Sequence, residues 1–194
     1  MSLRRDVLRA IYPAYRWMMS FTEKGAIHTN EKTASPGESF YALAVQLNDG
    51  TTLHFDGLKG KKVLIINTAS DCVYTDQYAE LEPLAKETND RLAIIAFPSN
   101  DFKEQEKGTD KEIAAFCGSR YHISFPIASK SHVVGKEQNR VFRWLTDSQQ
   151  NGWNNQAPVW NFSKYLVDER GLLTHYFGPA VPPAHIKKLA FRAG

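Results

Sequence analysis

The chain has 194 residues, 42% hydrophobic and 23% charged, with a formal net charge of +3. That length suits one domain plus an extension, with a core that needs no staples, and the composition excludes a disordered or low-complexity chain. The charge excess lies in residues 1–24, where Arg4, Arg5, Arg9, Arg16 and Lys24 are offset only by Asp6 and Glu23; the near-neutral remainder argues against nucleic acid as a partner. Leu3, Val7, Leu8, Ile11, Tyr15, Met18 and Met19 fall at helical spacing among those arginines, so the sequence predicts an amphipathic basic helix over residues 1–20, kinked or divided at Pro13. Pro13 and Arg16 interrupt it as a secretory signal. It is expected to pack on its own domain. An organelle-targeting segment or a peripheral membrane contact are the alternatives to a cytoplasmic protein. Residues 25–37, ending in Ser35-Pro36-Gly37, read as a linker, so the expected division is an extension over 1–35 and one domain over 36–194.

The body alternates strands and helices. Phe40 to Gln46 and Thr51 to Phe55 flank Asn48-Asp49-Gly50 and predict a β-hairpin. The apolar run Lys62 to Ala69 predicts a strand covered on both faces, followed by a helix over Asp76 to Thr88. Arg91 to Phe97 is a second buried strand. Thr109 and Glu112 form a capping-box pattern ahead of a helix that carries Ile113, Phe116 and Cys117. A short strand over Ser124 to Ala128, a helix at Val141 to Leu145, a hairpin of Trp160–Val167 and Leu172–Phe177, and a closing helix from Pro183 complete the order. This alternation predicts an α/β architecture with helices on both faces of a mixed sheet.

Two cysteines are too few for a disulfide scaffold, and no Cys-x-x-Cys pair is present. The six histidines are scattered without metal-ligand spacing, and no glycine-rich phosphate loop or bilayer-length apolar stretch occurs. A lone cysteine is usually a small buried hydrophobe. Cys72 differs, because it falls at a strand-to-helix junction, where orphan N–H groups and a helix dipole are expected to lower a thiol pKa and favour the reactive thiolate.

Four spaced segments resemble the glutathione peroxidases: Asn67-Thr68-Ala69-Ser70-Asp71-Cys72 with Thr75 and Gln77-Tyr78; Phe97-Pro98-Ser99-Asn100-Asp101-Phe102 with Gln105-Glu106 and Gly108; Phe125-Pro126-Ile127; and Trp160-Asn161-Phe162-Ser163-Lys164-Tyr165-Leu166-Val167-Asp168. The resemblance runs from about Ser39 to Pro183. It implies a thioredoxin-like fold, a central mixed β-sheet flanked by helices with an added N-terminal β-hairpin. It also implies a thiol peroxidase that reduces H2O2 and organic or lipid hydroperoxides without a metal or organic cofactor. Cys72 matches the peroxidatic position, and Gln105, Trp160 and Asn161 match the residues around it. A Gln amide, an indole N–H and an Asn amide can each donate to a thiolate without removing a proton. Cys117 matches the resolving cysteine of many non-animal members, which implies an intramolecular disulfide recycled by thioredoxin, with glutathione as the alternative reductant. The short stretch between Phe125 and Trp160 is similar to that of monomeric members. The chain departs from the family's usual residues at Val73 (Gly), Ser99 (Cys), Asp101 (Gln) and Lys107 (Pro), and no match to glutathione-contacting residues is evident. Two other function classes share these features: a redox relay that passes a disulfide to a partner protein, and a thioredoxin-like binding domain without turnover.

Overall fold

The computed structural model describes Met18, Met19 and residues 22–191. The amphipathic helix expected over residues 1–20 lies outside them except for Met18 and Met19, which are helical. The remainder contains seven strands: β1 (Ile27–Thr29), β2 (Ala44–Gln46), β3 (Thr52–His54), β4 (Lys62–Thr68), β5 (Leu92–Pro98), β6 (Lys164–Val167) and β7 (Leu173–Phe177). Its α-helices are α1 (Tyr78–Thr88), α2 (Asp110–Tyr121), α3 (Arg140–Leu145), α4 (Ser148–Asn151) and α5 (Pro183–Ala190).

The main sheet has the order β1-β7-β6-β4-β5, and β2–β3 forms the separate hairpin expected near the N-terminal end of the domain. β4 and β5 run parallel, joined by α1, while β4–β6, β6–β7 and β1–β7 are antiparallel. This is the expected thioredoxin-like α/β fold with a mixed sheet. The alternation of β4 explains why both faces are covered. Leu64 and Ile66 pack with Leu81, Ile113, Cys117 and Ile186 on the α1, α2 and α5 side. Val63 and Ile65 pack with Phe40, Phe55, Phe142 and Trp144 on the other. Successive side chains point to opposite faces, so a strand buried on both reads as one continuous apolar run.

Three expectations need correction. The stretch read as a linker contains β1, which pairs Ile27 with Phe177 and Thr29 with His175. Its three residues are all exposed, so no alternation announced it. The strand expected over Ser124–Ala128 is reduced to two isolated bridges, Ala96–Ile127 and Leu47–Ala128; Pro126 has no N–H to extend a ladder. Finally, Trp160 does not open a strand. Residues 159–162 form a bend and turn, and β6 begins only at Lys164.

The capping box of α2 is present: the Glu112 N–H donates to Thr109 Oγ1 at 3.3 Å and the Thr109 N–H to Glu112 Oε2 at 2.8 Å. Two orphan N-terminal donors are thereby satisfied. Thr109→Ala is expected to lower global stability by about 1 kcal/mol, measured as a shift of the urea midpoint at unchanged slope.

Candidate active site

Cys72 sits in the turn after β4. The local backbone is fixed by Thr75, whose Oγ1 accepts from the Cys72 N–H at 3.0 Å and whose hydroxyl donates to the Ala69 carbonyl at 2.8 Å. The Tyr74 N–H points at Cys72 Sγ, 3.5 Å away. The structure differs here from the expected helix start. A short 3-10 turn, Thr75–Gln77, intervenes, and α1 begins only at Tyr78, six residues beyond the cysteine. The dipole effect fades within about a turn, and of the orphan N–H groups at this start it is the Tyr74 N–H that faces the sulfur. Burial pushes the Cys72 thiol up from its ordinary value. The Tyr74 N–H, the Trp160 and Asn161 side chains and the positive charge of Lys24 pull in the opposite direction. The expectation of a lowered thiol pKa is therefore corrected: desolvation outweighs the donors.

Trp160 and Asn161 reach Cys72 because their turn is tied to the end of β4. Asn67 Nδ2 donates to the Trp160 carbonyl at 3.1 Å. The Phe162 N–H donates to the Asn67 carbonyl at 2.6 Å. Phe162 holds a left-handed φ of 69°, a conformation that costs a bulky residue about 1–3 kcal/mol. The side chain is fully buried, edge-on to Tyr78 with ring centroids 5.4 Å apart, so packing and the Asn67 bond hold it there. The consequence is that Asn161, the residue before it, is turned inward and is fully buried.

Gln105 joins the same cluster through Asn161, whose Nδ2 donates to Gln105 Oε1 at 3.0 Å. The Gln105 carbonyl also accepts from the Asp71 N–H at 3.0 Å, locking its loop against the cysteine turn. The loop is approached through Lys103 and Glu104, both left-handed (φ 51° and 52°). Asp101, where the family usually has Gln, anchors that loop: its Oδ2 accepts from the Val133 N–H at 2.7 Å. The structure thus brings together Cys72, Trp160, Asn161 and Gln105. The Trp160 and Asn161 side chains act on the thiol, and Gln105 holds Asn161. The Asn161 Oδ1 is buried and has no partner among the described residues.

Cys117 lies elsewhere, on the buried stripe of α2. Both cysteines are free thiols. Burial pushes the Cys117 thiol up to about 11; the Tyr78 hydroxyl lowers it and Glu106 raises it. Cys72 packs against the apolar cluster that contains Cys117. No group of three or more His, Cys, Asp or Glu side chains that could hold a metal occurs among the described residues.

Residues 40–146 match the family described as "Glutathione peroxidase". The "Glutathione peroxidase-like peroxiredoxin HYR1" of Saccharomyces cerevisiae is 40% identical over 150 residues, covering 77% of this chain and 92% of the relative. The chain belongs to the glutathione peroxidase family. The "Glutathione peroxidase homolog BsaA" of Staphylococcus aureus is 38% identical over 152 residues, 78% of this chain and 96% of its own. Among solved structures, "Crystal structure of T. cruzi GPX1" superposes with a TM-score of 0.58 at 27% identity, covering 79% of this chain and 94% of that one. Membership makes this a thiol peroxidase, an oxidoreductase that takes a hydroperoxide substrate and a thiol reductant.

Beside these family residues, two contributors to the site escaped the sequence reading. Asn67 was visible only as the first residue of a motif, and its cross-tie is a tertiary fact. Lys24, whose Nζ lies 4.8 Å from the Trp160 ring centroid, belongs to a segment with no motif at all.

The donors to the thiolate have a measurable consequence. Iodoacetamide reacts with the thiolate, so its rate falls as pH falls below the thiol pKa. In the Cys117→Ser background the Cys72 alkylation midpoint is expected above that of an ordinary cysteine thiol. Trp160→Phe and Asn161→Ala should each move it higher, because each removes a group that favours the charged form. Gln105→Ala should move it less, since its contact is with Asn161.

Proposed function

We propose that Cys72 is the peroxidatic thiol of this enzyme and Cys117 its resolving thiol. The observation that carries the first assignment is the convergence of the Tyr74 N–H, the Trp160 side chain and the Asn161 side chain on the Cys72 sulfur, which is found at no other thiol of the chain. The Cys72 thiolate attacks one oxygen of the hydroperoxide. An S–O bond forms, the O–O bond breaks, and the departing alkoxide or hydroxide takes a proton to leave as alcohol or water. Cys72 is left as a sulfenic acid. The donors that favour the thiolate also stabilise charge on the departing oxygen. The unpartnered Asn161 Oδ1 suits the remaining O–H of the bound peroxide.

Cys117 then attacks the sulfenic sulfur. The disulfide forms and water leaves, and a dithiol reductant restores both thiols by exchange. The placement of Cys117 within the cluster that Cys72 packs against supports this second assignment. In its resting position the Cys117 thiol is 1% exposed and protonated, so α2 must open locally before resolution. The clasp that resists opening joins α2 to the cysteine turn: the Tyr121 hydroxyl donates to Asp76 Oδ1 at 2.7 Å, with Arg120 3.7 Å from the same oxygen. Thioredoxin is the proposed reductant, because a dithiol resolves its own mixed disulfide whereas glutathione needs a second molecule. A cytoplasmic, reducing setting fits that cycle. A monomer is proposed because the only exposed large hydrophobic residues among those described are Met18 and Ile27, too few for an apolar interface.

Cys72→Ser is expected to abolish peroxide consumption with the fold retained by circular dichroism; turnover near wild type would overturn the assignment. One equivalent of H2O2 should produce an intramolecular disulfide, read as a mass loss of about 2 Da by intact-protein mass spectrometry. Cys117→Ser should react once and then stall as sulfenic acid, over-oxidising under excess peroxide. If that variant cycled normally with thioredoxin, Cys117 would be a core residue only, and glutathione would become the leading reductant.

A further inference from the structure

We propose that Lys24, which precedes the family-matched residues 40–146, is an additional positioning residue of the peroxide site: its ammonium, held over the Trp160 indole, stabilises the negative charge that Cys72 carries into the reaction. The inference rests on Cys72 being the peroxidatic thiol.

The backbone that carries Lys24 is fixed on both sides. Before it, the Thr22 hydroxyl donates to the Met19 carbonyl at 2.7 Å, and the Lys24 N–H donates to Thr22 Oγ1 at 3.2 Å. A 3-10 turn runs from Glu23 to Gly25. After it, β1 pairs with the free edge of β7. Between these, the Lys24 carbonyl accepts from the Ala180 N–H at 2.7 Å and the Ala26 carbonyl from the Gly178 N–H at 2.8 Å. The approach at this point is so close that a Cβ on Gly178 would lie 2.3 Å from the Lys24 carbonyl oxygen and 2.7 Å from that of Glu23. Such contacts are tolerated only where a glycine faces another backbone. Residue 178 therefore leaves room for this segment, and the segment delivers one side chain to the site.

That side chain is half-buried, with Nζ 4.8 Å from the Trp160 ring centroid. An ammonium over an indole face is attracted by the ring quadrupole, which fixes the charge beside a residue whose side chain favours the Cys72 thiolate. A fixed charge in a partly desolvated setting acts more strongly than one in water. Other charged or titratable groups lie around the cysteine turn. Lys164 is fully buried, and its Nζ donates to the Pro179 and Val181 carbonyls. Asp71 is exposed on the turn itself. Asp76 is paired with Arg120 and Tyr121 from α2. Glu106, from the Gln105 loop, accepts from the Ser70 hydroxyl at 2.9 Å. Tyr78 and Cys117 interact with each other. Lys24 adds a positive charge that lowers the thiol pKa, beside the Tyr74, Trp160 and Asn161 donors.

The test uses the full-length chain with Cys117→Ser, so that Cys72 is the sole thiol. Two quantities are read for Lys24, Lys24→Met and Lys24→Arg: the pH midpoint of iodoacetamide alkylation, and the stopped-flow rate of Cys72 oxidation by H2O2. Lys24→Met should raise the midpoint by about 0.5–1 unit and slow oxidation near neutral pH about threefold to tenfold, since a nearby opposite charge favours the ionised form. Lys24→Arg should restore most of both, because it keeps the charge and stacks on the indole. Gly178→Ala, with Lys24 intact, should reproduce part of the loss by pushing the segment away. An unchanged midpoint and rate in Lys24→Met would overturn the inference while leaving Cys72 in place. A loss confined to a carboxylate-bearing hydroperoxide, with H2O2 unaffected, would overturn it in favour of substrate docking. Failure of Cys72 itself to react with peroxide in the Lys24-containing protein would instead sink the peroxidatic assignment on which it rests.

Discussion

The cross-tie made by Asn67 is the constraint on which the site depends. β4 and β6 stop pairing at Ile66 and Lys164, yet the chain beyond each must still be held in register. Asn67 does this three ways. Its N–H donates to the Ser163 carbonyl at 3.3 Å, its carbonyl accepts from the Phe162 N–H, and its side-chain amide donates to the Trp160 carbonyl. Five residues later comes Cys72. The tie therefore sets the thiol and its Trp160–Asn161 neighbours on opposite sides of one fixed junction. Small displacements matter greatly in such a site, because preset donors act only where charge will develop. The left-handed Phe162 is the strain that the junction sustains, held by a buried ring that has nowhere else to go.

Electrostatics follows from that geometry rather than from a helix terminus. Burial favours the neutral thiol at both cysteines, but their surroundings differ. Around Cys72 neutral donors and one ammonium converge. Around Cys117 the Tyr78 hydroxyl is opposed by the carboxyl of Glu106, itself pushed up by burial. The Cys72 thiolate thus has several donors to draw on, whereas the Cys117 thiolate has one, opposed by a carboxyl. The proposed two-cysteine cycle draws on this asymmetry: a resolving thiol that was exposed and ionised from the outset would compete for peroxide and over-oxidise.

The double-buried strands β4 and β5 were legible because their apolar runs are uninterrupted, and α2 because its cap is written in Thr109 and Glu112. Cys72, Gln105, Trp160 and Asn161 were legible only as a motif set. Taken singly, each has an ordinary structural explanation, and no periodicity brings positions 72, 105 and 160 together. What could not be read is tertiary. β1 has no buried face to generate a pattern, and its existence depends on the open edge of β7. The raised Cys72 thiol depends on how deeply tertiary packing buries the sulfur, which spacing along the chain does not give.

The same limits explain how a peripheral segment comes to share the site. An edge strand is a row of unpaired donors and acceptors that natural sheets cover. Here β1 covers β7, and once it is laid down the residues just before it are carried past Gly178 and Ala180 toward Trp160. Covering the edge and delivering Lys24 are thus one structural event. Because the segment is held through Lys24's own backbone N–H and carbonyl, the position could hold many side chains without loss of the strand. A cation there is a choice the fold permits rather than one it requires. Its effect should therefore register in the ionisation of Cys72 rather than in the stability of the domain.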